Sequence, residues 1–404
     1  MPLPPETKPA YLFVLPWTLE SLGGVSQVVE NLINQMEIHG EYAPLLLVNS
    51  WTDKKIRKQK IKGRVHYFIR LRSVWNAQKR LKNLLAFIIF LPTELYCFHK
   101  FVKNQGITSI NVHYCGLYAF NISILKMLRL FQGKFILSFH GKDILAARQA
   151  QRIEKFLWKI LLRSTDTIVA CSESLKNNIA ALDKRCLSKI NVIHNGIDIS
   201  FMEQERDKGY RPDEPPHGGK FILNVGSFDP IKGQDLLILA FSKIAEAFPE
   251  VQLVMIGRQG EAIDKLEKLI HSLGLARRIW LYHGLPHDKL AVFYKDATVF
   301  ALSSRFESFG IVILEAGAFG VPVVAADVGG IGEILAHDQT GRLCEPENSD
   351  CLARELIYLL EHPEERERLG NNLRKHVLQN FSWERAYRKY IECLRAEGSL
   401  IAKT

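Results

Sequence analysis

Apolar residues in this chain come in short continuous runs, and longer stretches with helical spacing separate them. In the first half the runs are YLFVL (11–15), PLLLV (44–48), VHYFI (65–69), SINVHY (109–114), FILSF (135–139), TIVA (167–170) and INVIH (190–194). Continuous runs of this kind mark strands buried on both faces, in a parallel sheet covered by helices. The spacing predicts helices over 24–38, 79–104, 117–131, 149–163 and 173–181. Strand and helix in alternation predict a doubly wound α/β domain.

Residues 201–220, FMEQERDKGYRPDEPPHGGK, carry charge, proline and glycine without an apolar period, as a boundary loop does. The rhythm then restarts, with strands predicted at 221–226, 251–257, 279–282, 298–303 and 321–326. Helices follow near 233–247, 260–272, 287–295, 309–319, 350–361 and 364–378. Two similar α/β domains are expected, 1–200 and 201–382, with a ligand cleft between them at the carboxyl ends of the strands.

Composition narrows the class. With 404 residues, 47% of them hydrophobic, the chain can bury two cores. The net charge of +10 suits nucleic acid, an anionic membrane or a phosphate-bearing substrate. No zinc finger, RNP-type aromatic sequence or long basic tail is present, so nucleic acid ranks last. The seven cysteines are odd in number and none has CxxC spacing, which fits a reducing cytoplasm rather than a disulfide framework or zinc site. The N-terminus does not read as a signal peptide. The most apolar run, LLAFIIFL (84–91), is eight residues long and meets Pro92, so no membrane span is predicted.

Three glycine-rich turns are candidates for chemistry. Gly23 and Gly24 open the first helix, where free N–H groups favour an anion, although a plain flexible turn accounts for them equally well. In NVGSFDPIKG, Lys232 stands at the start of a helix, within reach of a phosphate bound there, although taken alone it reads more readily as a surface lysine. In SSRFESFGIVILEAGAF, Glu307 is expected just before a helix and Glu315 inside it, with Phe309, Gly310 and Ile311 supplying first-turn amides. A carboxylate inside so apolar a helix needs a polar partner, and a ribose or sugar diol is a suitable one.

This last segment, residues 303–335, resembles the donor-site signature of the retaining glycosyltransferases of family 4. Other pieces follow in the family's order: GGV, SFHGKDI (138–144), VACSESLKNNI (169–179), VIHNGID (192–198), VGSFDPIKG (225–233) and HGLP (283–286). The resemblance implies the GT-B fold, two facing Rossmann-like domains, with the C-terminal helix (383–404) crossing back onto the first. It implies that Glu315 holds the donor ribose, that Glu307 and His140 contact the transferred sugar, and that Lys232 faces the diphosphate. Gly23 and Gly24 fall where relatives approach the diphosphate, and Leu285 where the backbone contacts the base. Asn195 and Gly196 are read as structural. The family commonly has arginine where this chain has Ser227, and Arg258 and Arg305 are the candidate replacements.

The resemblance implies transfer with retention, and since no DxD pair is evident no divalent metal is expected. The donor is a nucleotide-diphosphate sugar, UDP before GDP. The acceptor is a glycan or a lipid-linked sugar of cell-surface polysaccharide or lipopolysaccharide synthesis. A nucleotide-sugar epimerase and a non-catalytic binding partner of the same fold are the alternatives. Residues 54–83 are dense in Lys and Arg, and Trp75, Phe87 and Phe90 lie nearby, so the segment 54–91 is either a core helix with a solvated basic end or a surface that docks on the anionic inner face of a membrane.

Overall fold

The structure, a computed structural model, describes residues 8–21, 23–75, 80–198 and 219–395. The boundary loop expected at 201–220 lies outside these, apart from its last two residues. The chain forms two compact units, Met1–His194 with Glu384–Thr404, and Asn195–Trp383.

The sheet of the first unit contains β1 (Ala10–Leu15), β2 (Ala43–Asn49), β3 (Arg57–Ile61), β4 (Arg64–Ile69), β5 (Ile107–His113), β6 (Lys134–Phe139), β7 (Thr167–Ala170) and β8 (Ile190–Val192). Their order is β3-β4-β2-β1-β5-β6-β7-β8. All neighbours are parallel except the β3–β4 hairpin. The central strand β1 is buried along its whole length, as a continuous apolar run requires. Its helices are α1 (Gly24–His39), α2 (Arg80–Asn104), α3 (Phe120–Met127), α4 (Lys142–Gln149), α5 (Arg152–Ser164) and α6 (Glu173–Ala180). Ser172 caps α6 by accepting from the Leu175 N–H at 3.0 Å.

The second unit has β9 (Phe221–Val225), α7 (Gln234–Ala247), β10 (Gln252–Gly257), α8 (Ile263–Ser272), β11 (Ile279–His283), α9 (Ala291–Asp296), β12 (Val299–Leu302), α10 (Ile311–Ala318), β13 (Val323–Ala326) and β14 (Arg342–Cys344). Then come α11 (Ser349–Glu361) and α12 (Pro363–Asn380), while α13 (Trp383–Arg395) belongs, after its first residue, to the first unit. The sheet order is β11-β10-β9-β12-β13-β14, all parallel. Strand order reverses between β9 and β12 here, and between β1 and β5 in the first unit. Loops leaving the carboxyl ends of those pairs diverge to opposite faces and open a crevice at each switch point.

Three elements escaped the sequence reading. Strand β3, RKQKI, is an edge strand with no apolar side to announce it. Helix α4 and the three-residue β14 are too short to show a period. The helix expected at 117–131 is a 3-10 turn (Leu117–Ala119) followed by α3, which ends at Met127. None of the seven cysteines is in a disulfide.

The estimate of the apolar segment near Pro92 needs correction. Helix α2 runs through Pro92 and continues to Asn104, and Leu81–Asn104 is long and apolar enough to cross a membrane by length and composition. Of the three aromatic residues named for docking, only Phe90 is exposed. Phe87 is buried, Phe90 lies 4.3 Å beneath the Arg72 guanidinium, and Trp75 is only partly exposed.

Candidate active site

In the second unit the two switch-point loops close on each other. After β9 the chain makes a 3-10 turn, Pro230–Lys232, and enters α7 through Gly233 at φ 61°. A Cβ at Gly233 would sit 2.0 Å from the Ser303 carbonyl oxygen, so only glycine allows this approach. The Ile231 carbonyl accepts from the Arg305 N–H at 2.8 Å, and the Ser303 hydroxyl donates to the Lys232 carbonyl at 3.3 Å.

This contact brings together two residues 75 positions apart. The Lys232 ammonium donates to Glu307 Oε2 at 2.6 Å, with both side chains largely buried. Gly330 N–H holds the Glu307 carbonyl at 3.1 Å. Gly329 lies so close behind that a Cβ there would overlap the same oxygen. Three residues on, Gly310 at φ 102° starts α10 without a side-chain cap. The first-turn amides beginning at Ile311 therefore present N–H groups beside the ion pair. The Phe309 side chain is buried edge-on against Phe381, so this residue offers only backbone.

Glu315 lies in the second turn of α10 and is buried. The sequence reading left its polar partner to a bound sugar, but the protein itself supplies two. Tyr294 Oη donates to Oε2 at 2.6 Å, and His287 Nε2 lies 2.7 Å from Oε1. Burial pushes the Tyr294 phenol well above its usual range, and the neighbouring carboxylate adds to this, so it remains a neutral donor. A carboxylate has roughly four acceptor sites, so two bonds leave capacity for a diol. Sequence reasoning missed both partners. His287 directly follows the HGLP motif, which was the available signal; Tyr294 carried none. Leu285 is half-buried in the same loop, whose Gly284 N–H donates to the Gly257 carbonyl at 3.0 Å.

The cation question resolves differently for the two arginines. Arg305 is held by Asp235 through two bonds of 2.7 and 2.8 Å, by Glu347 at 2.8 Å and by the Pro230 carbonyl at 2.8 Å. The Asp235 carboxylate foremost keeps its pKa well above the ordinary value. Arg305 braces the loop and is not a spare cation. Arg258 is exposed after β10 and makes no ion pair among the described residues. Ser227 donates to Asp229 Oδ2 at 2.6 Å, which places an acid in the loop where the family commonly has a cation.

His140 belongs to the first unit, at the carboxyl end of β6. Its Nε2 is 3.0 Å from Nδ1 of His113, which is fully buried at the end of β5, and the rings stack at 5.2 Å. Among the described residues His113 Nε2 has no hydrogen-bond partner. Desolvation holds both imidazoles below their usual value, His140 at about 4. Asp143, in the first turn of α4, accepts from the backbone N–H groups of Cys115, His140, Gly141 and Ile144, and so ties the ends of β5 and β6 together. Burial raises its pKa to about 6, against those bonds. Gly23, at φ 144°, precedes Gly24, the first residue of α1, and nearby the Trp17 indole donates to the Ser26 hydroxyl at 3.2 Å. Among the described residues no three His, Cys, Asp or Glu side chains gather to hold a metal.

Two parallel-sheet units, each with a switch-point site, define the class as GT-B glycosyltransferases. Residues 22–201 match the family described as Glycosyltransferase Family 4, and residues 206–376 match Glycosyl transferases group 1. The chain is 34% identical over 317 residues to an uncharacterized glycosyltransferase of Methanocaldococcus jannaschii, covering 75% of this chain and 78% of that one. It therefore belongs to the group 1 glycosyltransferases. Among solved structures, sucrose-phosphate synthase from Thermosynechococcus elongatus superposes with a TM-score of 0.73 at 22% identity, over 98% of this chain and 100% of that one. Anabaena HepE, in complex with UDP and glucose, gives 0.73 at 19% identity, over 96% and 100%.

Proposed function

We propose that this glycosyltransferase moves a sugar, with retention, from a nucleotide-diphosphate sugar to a glycan or lipid-linked acceptor at the cytoplasmic face of a membrane. The observation that carries this reading is the Lys232–Glu307 pair beside the uncapped start of α10, with Glu315 one turn further in. As the bond from the anomeric carbon to phosphate breaks, its electron pair leaves with the nucleoside diphosphate. Lys232 and the first-turn amides of α10 would stabilise that charge, a task here assigned to the protein rather than to a divalent ion. Glu307 would contact the departing sugar and Glu315 the ribose. The acceptor oxygen would attack from the face the diphosphate leaves, and its proton would pass to a phosphate oxygen of the leaving group. His140 is the residue of the first unit assigned to the sugar. UDP is the favoured base, with GDP second; HepE, which shares the fold, is described with UDP, and this supports the order. Cell-surface polysaccharide or lipopolysaccharide synthesis is the pathway class in which such acceptors occur.

A second reading, a non-catalytic binding partner, draws on the Ser227–Asp229 bond, which sets an acid in the loop where the family commonly has a cation. Thermal melting with UDP-, GDP- and ADP-sugars, with and without magnesium, separates the two. A donor at a hundredfold excess over its Kd adds about 2.7 kcal/mol of stability. A shift with one nucleotide family, unchanged by magnesium and followed by turnover that E307Q abolishes, supports the transferase. Absence of any shift favours the second reading.

A further inference from the structure

Helix α2 carries two apolar faces, and only one is used by the fold. The inner face, with Phe87, Leu95, Phe98, Phe101 and Val102, is buried in the first unit. The other bears Leu81, Leu85, Ile88, Ile89 and Tyr96, all exposed, with Ile89 at 67% and Leu81 at 70%. Exposed Pro92 lies among them. At 3.6 residues per turn these six positions fall within an arc of about 100°, a continuous stripe along the helix. His99 lies on the same line, and its Nδ1 is 3.0 Å from the Leu130 carbonyl. The stripe thus runs on to a second exposed apolar group, Met127, Leu128 and Leu130, at the end of α3.

The charges around the stripe are of one sign. The sole acid in α2, Glu94, is buried against Arg72 at 3.0 Å and Arg70 at 3.5 Å. Lys82 and Lys100 are exposed on the helix flank. Strand β3 adds two more. The Lys58 ammonium lies over the Tyr67 ring, and Tyr67 packs on Phe101 of α2, which puts Lys58 on the α2 side of the sheet. Lys60, two residues on, shares that side. Single exposed apolar residues are ordinary, but an aligned stripe rimmed by cations marks a contact surface.

We infer that this face of α2 docks on an anionic lipid bilayer, with the stripe in the headgroup region and Lys58, Lys60, Lys82 and Lys100 on lipid phosphates. A second copy of the chain fits poorly, because a twofold contact on this stripe would set these lysines near their own symmetry mates. The helix lies on the membrane and does not cross it, since crossing would strip its inner face from the core and break the Glu94 pairs. The inference deepens the lipid-linked acceptor of the proposed function, yet it can be tested without any turnover.

The full chain is sedimented with phosphatidylcholine vesicles, with and without phosphatidylglycerol, at low and high salt. Wild type should bind only the phosphatidylglycerol vesicles. I88E with I89E should lower the partition coefficient at least about tenfold. K58E with K60E should lower it about 25-fold at low salt, at about fivefold per lysine, and less at high salt. All four positions are exposed, so both variants should melt as wild type does. No preference for phosphatidylglycerol, or wild-type binding by I88E/I89E, overturns the inference. So does a wild-type dimer in light scattering that I88E/I89E dissolves. Donor-induced melting shifts on the same samples report separately on the transferase reading.

Discussion

Replacing Tyr294 by phenylalanine removes one oxygen and little else. The ring keeps its place between Phe300, at 5.8 Å, and Phe319, stacked at 6.0 Å. What is lost is the 2.6 Å bond to Glu315 Oε2, between two side chains that are both buried. A hydrogen bond to a charged group contributes about 1.5–3 kcal/mol, and the abandoned carboxylate oxygen keeps the cost at the upper end. For a unit of this size that corresponds to a melting shift of about 3–12 °C. The transition to follow is the one that donor binding moves. A double-mutant cycle isolates the bond. In the E315M background the Tyr294 hydroxyl has no carboxylate to serve, so Y294F should cost close to nothing there. The coupling should equal the single-mutant cost, about 1.5–3 kcal/mol. Equal costs in both backgrounds, within about 0.5 kcal/mol, would show that Tyr294 does not hold Glu315 and would refute the reasoning.

Two further predictions follow from other parts of the molecule. G329A should place a methyl group against the Glu307 carbonyl in a backbone at φ 60°, costing about 1–3 kcal/mol or more and lowering turnover by displacing Glu307; unchanged melting and unchanged rate would count against this. The buried His113 and His140 have folded values below the ordinary 6.5, so unfolding takes up protons and stability falls as pH drops from about 7 toward 4. Asp143, raised from 3.8 to about 6, acts in the opposite sense below pH 6, so melting between pH 7 and 6 is the cleanest window. There H113Q should flatten the slope, and an unaltered slope would mean that His113 takes up no proton on unfolding.

The sequence by itself determined the two tandem α/β units, because continuous apolar runs have one comfortable home, a parallel sheet covered on both faces. It also determined that Glu307 precedes a helix and Glu315 lies within it, since both follow from local chain geometry. Tertiary structure decided the rest. The pairing of Lys232 with Glu307 depends on the reversal of strand order between β9 and β12 and on a glycine that lets two loops touch. His287 and Tyr294 reach Glu315 from a turn and a short helix more than 20 residues away, and no local period encodes that meeting. Arg305 looked like an available cation until its partners Asp235 and Glu347 were in place. The apolar residues of α2 looked like one hydrophobic run, and only packing separated the face that the core covers from the face it leaves to solvent. Periodicity records which residues avoid water; what each one meets instead is set by contacts between segments far apart in the chain.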